Sequence, residues 1–182
     1  TLAMTTIKTG AGKDSLTLLA TTKATVDTGA GNDTVTLGSN VAVGSTINLG
    51  AGDDTLLDSG FSVTPSSASA VTTIDGGAGI DSVSASLINA ANAAQFKNFE
   101  KLDLTAAATL DVAVMTNSTI SGLTLAGATN ANSTVTNVAA GVGLAVTANV
   151  GAGSTTIGVK DASTNAADTF AISFDGTQYN TT

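Results

Sequence analysis

The sequence predicts an all-β chain: a parallel β-roll or β-helix solenoid with glycine-rich turns and one short helix near residues 87–97. Three observations predict it. A seven-residue glycine motif recurs four times, and the runs between its copies are short and rich in Val, Leu, Ile and Thr. Hydrophobic residues make up 42% of the chain but aromatics only 3%, so the core must be thin and aliphatic. Stacked coils need only small inward side chains, whereas a sandwich of this size needs larger ones.

The repeats come first along the chain. Gly10-Ala11-Gly12-Lys13-Asp14-Ser15-Leu16 returns as Gly29-Ala30-Gly31-Asn32-Asp33-Thr34-Val35, as Gly50-Ala51-Gly52-Asp53-Asp54-Thr55-Leu56 and as Gly77-Ala78-Gly79-Ile80-Asp81-Ser82-Val83. Upstream of the copies, Ile7-Lys8, Val26-Asp27, Ile47-Asn48 and Ile74-Asp75 each begin with a β-branched residue, so every unit reads as strand, glycine turn, strand. The first glycines are separated by 19, 21 and 27 residues. A nine-residue turn-plus-strand unit used twice per coil gives about 18, which places the intact turns on one edge of a two-sided solenoid. The opposite edge has degenerate turns at 19–23 and 38–44, and the longer third interval contains a protruding loop across 59–70.

Glycines one residue apart permit positive φ and let carbonyls converge, and the Asp that follows adds a carboxylate to the same concavity. Oxygen donors without nitrogen or sulfur favour Ca²⁺, which takes about 6–8 of them. One turn supplies too few. Two stacked turns suffice, so the expected metal residues are Asp14, Asp33, Asp54 and Asp81 with Gly10, Gly12, Gly29, Gly31, Gly50, Gly52, Gly77 and Gly79. Three inter-coil sites follow, paired as Asp14/Asp33, Asp33/Asp54 and Asp54/Asp81. The flanking Asp27, Asp53, Asp58 and Asp75 read as solvated acids, and so do Asp103, Asp111, Asp161, Asp168 and Asp175, which lie outside any Gly-x-Gly context.

Beyond the repeats, apolar positions 87, 88, 91, 94 and 96 fall near helical spacing and give the short helix. Short alternating runs then continue between 109 and 174, as in Ser118-Thr119-Ile120-Ser121-Gly122-Leu123-Thr124-Leu125 and Leu144-Ala145-Val146-Thr147-Ala148-Asn149-Val150, and read as further coils; Gly151-Ala152-Gly153-Ser154 lacks the Asp and reads as a metal-free turn. The division is 1–86, a calcium-binding β-roll, and 87–182, a continuing β-rich segment.

Charge and residue types exclude several functions. Six Lys and no Arg against fourteen acids give a formal −8, which opposes nucleic acid and anionic membrane as partners. There is no His and no Cys, so imidazole and thiolate chemistry are absent. No apolar run approaches the about 20 residues needed to span a bilayer. Nothing resembles a nucleophile–base pair or an oxyanion hole, so no enzyme activity is expected. A β-helix lyase would need a strong base and stacking aromatics, and an ice-binding lattice would need more regular spacing.

Gly76-Gly77-Ala78-Gly79-Ile80-Asp81-Ser82-Val83-Ser84 matches the G-G-x-G-x-D-x-hydrophobic-x signature in full, while Thr9, Thr28 and Leu49 replace the first glycine in the other copies. On these residues the chain resembles the RTX (repeats-in-toxin) family. The resemblance implies a β-roll that folds on Ca²⁺, export by type I secretion, and action outside the cell. Phe96-Lys97-Asn98-Phe99-Glu100-Lys101-Leu102 is similar to a stretch that follows such turns in large secreted surface proteins. With the Thr/Ala/Gly/Asn bias it points to a structural component of a bacterial S-layer at the cell surface. The expected partners are other copies in a lattice and cell-surface polysaccharide bound through another part of the protein. An RTX adhesin, or the calcium-dependent C-terminal module of a secreted enzyme, is the alternative. The chain also reads as a piece of something longer.

Overall fold

A computed structural model describes residues 5–18, 23–38, 44–59, 71–126, 132–148, 153–160 and 169–174. The chain is a parallel β-solenoid built from three sheets. The strands β1 (Thr5–Lys8), β3 (Ala24–Asp27), β5 (Ser45–Asn48), β7 (Val71–Asp75) and β9 (Phe96–Lys97) stack in that order along one wall. The facing sheet has eight strands: β2 (Ser15–Leu18), β4 (Thr34–Leu37), β6 (Thr55–Asp58), β8 (Ser82–Ser84), β10 (Lys101–Asp103), β12 (Gly122–Leu125), β14 (Gly143–Val146) and β16 (Ile172–Phe174). A third sheet, β11 (Thr109–Asp111), β13 (Ser133–Val138) and β15 (Thr155–Val159), begins after the first has ended. The long sheet passes residue 86 without a break, because β10 pairs with β8 on one side and β12 on the other. Among the described residues, no helix is long and apolar enough to cross a membrane.

Alternation along each strand and register between strands together produce the core. In β4, Val35 and Leu37 are buried while Thr34 and Thr36 stay partly exposed. Parallel register then stacks like on like. Val26, Ile47, Ile74 and Phe96 form one continuous file, and Val35, Leu56, Val83, Leu102, Leu123 and Leu144 form the facing one. Each rung contributes roughly 1.5–3 kcal/mol of burial before the entropy of ordering its coil is subtracted. Files of one or two mostly aliphatic residues per strand fill so narrow an interior, which is why few aromatics suffice.

The helix expected near 87–97 is divided into two single 3-10 turns, Ala85–Leu87 and Ala93–Gln95. Asparagine side chains cause the break. Asn89 Oδ1 accepts from the amides of Ala91 and Asn92, Asn92 Oδ1 accepts from Asn89 N, and Asn92 Nδ2 donates to Leu87 O at 2.8 Å. These bonds offer the backbone an alternative to a continuous helical ladder. The loop expected across 59–70 and the opposite-edge turns at 19–23 and 38–44 fall largely outside the described residues, as do Asp161, Asp168 and Asp175.

Candidate metal centre: the stacked glycine turns

The four glycine turns stack in register, with Ala11, Ala30, Ala51 and Ala78 bridged in series. Two bonds join each neighbouring pair, as where Gly31 N donates to Ala51 O at 2.7 Å and Ala51 N donates to Gly29 O at 2.9 Å. Only glycine permits this approach. At Gly50, where φ is +101°, a Cβ would lie 1.9 Å from Gly29 O, and at Gly77 it would lie 1.9 Å from Gly50 O. From the second copy on, the paired glycines of the motif are therefore required by the stacking itself, whatever the turns bind.

The motif's fourth and fifth positions, x and Asp, form two ladders that run in opposite directions. On the inside, Asp33 Oδ1 accepts from Asp14 N at 2.8 Å, Asp54 Oδ1 from Asp33 N at 2.7 Å, and Asp81 Oδ1 from Asp54 N at 2.8 Å. On the outside, Asn32 Oδ1 accepts from Asp53 N and Asp53 Oδ1 from Ile80 N, both at 3.0 Å. The third and fourth turns thus each have two successive amides satisfied by side chains of neighbouring coils, Asp53 N and Asp54 N in one and Ile80 N and Asp81 N in the other. Asp53, read from sequence as a solvated acid, is a rung of the outer ladder.

The inner ladder buries its carboxylates. Asp33 and Asp54 are 1% exposed and Asp81 is 0% exposed. In each of Asp14, Asp33, Asp54 and Asp81 the second oxygen, Oδ2, is buried with no hydrogen-bond donor. Burial pushes the Asp81 carboxyl up to about 6; the amide of Asp54 opposes that push, and the charges of Asp54, Glu100 and Asp53 add to it. Asp54 is raised for the same first reason, opposed by the Asp33 amide and reinforced by the Asp33 and Asp53 charges. Four buried acceptors that lack donors, stacked in one file, form an arrangement a cation would relieve.

No protein-family model matches the chain, and neither a curated protein nor a solved structure does. The site therefore has to be judged on its own geometry. The twelve residues expected from sequence are all at this edge: the four Asp as the inner file, and the eight glycines as the turn backbone that carries it. The turns do not bring acids into a cluster, and among the described residues no three Asp, Glu, His or Cys side chains converge as a metal group. The remaining ligands would have to be main-chain carbonyls. Those of the first glycine and the alanine are already used between coils, as at Gly29 and Ala51.

Positions that depart from the glycine signature have their own roles. Thr9 Oγ1 donates to Thr28 O at 2.8 Å and Thr28 Oγ1 donates to Leu49 O, so the first two intervals are closed by hydroxyls. The flanking acids are spoken for as well. Asp27 pairs with Lys8 at 2.9 Å, Asp58 accepts from Ser86 Oγ, and Asp75 accepts from Gly77 N and Asn98 Nδ2.

Sequence reading missed Glu100. Its Oε2 accepts from Asp81 N at 2.9 Å, so it occupies the Asp position in the next coil and ends the inner ladder. The signal was its distance from Asp81, 19 residues, the same as between Asp14 and Asp33. The Gly-x-Gly context that marks the other rungs is missing there.

Proposed function

We propose that the chain is a non-catalytic structural segment of an extracellular bacterial surface layer, folding and assembling on Ca²⁺ held between its stacked glycine turns. The observation that carries the calcium reading is the file of four buried Oδ2 atoms without donors at Asp14, Asp33, Asp54 and Asp81. The donor set fits that ion: every candidate ligand is a carboxylate or carbonyl oxygen, and calcium accepts irregular oxygen geometry. The acids also supply the coupling to folding. Bringing them together in a coil without a cation costs free energy, which bound calcium returns.

The surface-layer part of the reading rests on the resemblance to RTX proteins and on the Phe96–Leu102 stretch. A solenoid is suited to such a role, because pairing between strand edges is one route by which copies associate. Calcium titration by calorimetry, with far-UV circular dichroism in parallel, tests the proposal on the whole chain and on Asp33→Ala. Calcium uptake with a gain of β signal is expected, weakened in the substituted chain because Asp33 borders two intervals. Identical spectra in calcium and in excess chelator, with no heat of binding, would refute it. Light scattering that does not change with calcium would remove the assembly half of the proposal.

A further inference from the structure

We infer that a further cation site lies one coil beyond the last glycine turn, between turn 76–81 and the shortened turn 98–100, with Glu100 as one of its ligands. The inference rests on the calcium reading above, and it adds an interval that the repeated motif does not include.

The fifth turn is a truncated copy of the fourth. Asp75 is in register with Lys97, and Gly76 N donates to Lys97 O, so Asn98 follows in the place of Gly76. The path from there to the ladder acid runs 76–81 in one coil and 98–100 in the next. Asn98 takes φ +53° to make the tighter corner, and Phe99 is fully buried beneath it. Phe96 and Phe99 pack with ring centroids 6.2 Å apart. Beyond this turn the next coil continues the stack, with Asn98 N donating to Asn117 O and Ser121 N to Glu100 O.

Three oxygens border this interval. Glu100 presents its carboxylate, with Oε2 on Asp81 N. Asp81 is 0% exposed, and its Oδ2 has no donor. Asn98 O lies on the same side. The point where a Cβ on Gly76 would sit is 2.2 Å from Asn98 O and 2.9 Å from Asp81 Oδ2. A side chain at position 76 would collide with both oxygens, so glycine there leaves this face of Asn98 O and Asp81 Oδ2 uncovered. At the first two intervals a threonine hydroxyl already occupies the equivalent carbonyl, Thr28 O or Leu49 O. No side chain at Gly76 can do the same to Asn98 O. This interval should fill before those closed by threonine.

The test uses the full chain and Ca²⁺. Carboxyl-carbon NMR of the unsubstituted protein should show Glu100 and Asp81 shifting with the first equivalent. Glu100→Gln keeps an acceptor for Asp81 N but removes the charge, and it should weaken the tightest site at least about tenfold. Its circular dichroism in chelator should match the parent. If Asp33 and Asp54 respond to calcium while the Glu100 carboxyl stays still, this site is wrong and the glycine-turn sites stand. If no carboxyl responds, both readings fail. The NMR experiment needs no substitution, so it decides the matter even if Glu100→Gln does not fold.

Discussion

The two ends of the long sheet use the same strands but different corners. Between residues 9 and 81 the corners are glycines at positive φ that carry a buried file of carboxylates. After residue 109, among the described residues, the positive-φ corner positions are Asn137 at +57° and Gly141 at +85°, and the one acid, Asp111, is exposed and partnered. Asp111 accepts from Ala113 N and Asn137 Nδ2, and the Asn137 bond, then the Ala113 bond, hold its carboxyl below the ordinary range. Both regions stack as parallel coils. Stacking alone therefore does not require buried acids, and the file at Asp14, Asp33, Asp54 and Asp81 needs a separate explanation. A cation is the one proposed.

Substitutions can break that contrast. The largest effect is expected at Gly50→Val, where the added side chain meets Gly29 O and the backbone is held at φ +101°. A loss of roughly 3–5 kcal/mol, or failure to fold, should appear in urea unfolding. Gly141→Ala has the same sign of φ but nothing within 4 Å, so about 1 kcal/mol is expected. Equal costs at the two positions would mean that close stacking is not what the motif's glycines serve.

Next in size is Asp81→Asn, which keeps an acceptor for Asp54 N while removing a buried charge. In chelator at pH 7 it should stabilise the chain by roughly 1–2 kcal/mol, and the gain from added calcium should shrink. Destabilisation in chelator would show that the carboxylate is not a burden in the calcium-free chain.

The pH dependence sharpens the same point. Because the folded Asp81 carboxyl is raised from 3.8 to about 6, the folded chain holds its proton more tightly than the unfolded chain. Its contribution to calcium-free stability is full below about pH 4 and is lost as pH rises through about 6. Thermal melts in chelator should fall across that window, and Asp81→Asn should flatten the fall. The smallest change is expected at Asp111→Asn. The folded Asp111 carboxyl is lowered, so its contribution is present above the ordinary carboxylate range and fades as pH falls through its lowered value. Melts with and without calcium should move by the same small amount.

Much of the fold could be read from the residues. Four Gly-Ala-Gly turns with β-branched residues before them dictate parallel coils, and the 19- and 21-residue intervals match the strand register, as in Ser15 with Thr34 and Thr34 with Thr55. The helix was less legible, because apolar spacing at 87–96 does not reveal that Asn89 and Asn92 will bond to the backbone instead. Glu100 was hidden for a related reason. A motif search sees local glycine context, whereas the ladder depends on which residue faces Asp81 one coil away.

The sequence alone determined the period, the turn edge and the aliphatic character of the interior, because glycine conformational freedom and strand alternation are properties of neighbouring residues. Only the tertiary structure decided that Oδ1 of Asp33, Asp54 and Asp81 is spent on a backbone amide while Oδ2 is left buried without a donor. That outcome depends on coils 19–27 residues apart being brought into contact. Hydrogen-bond satisfaction and desolvation are set by those contacts, and no stretch of contiguous sequence specifies them.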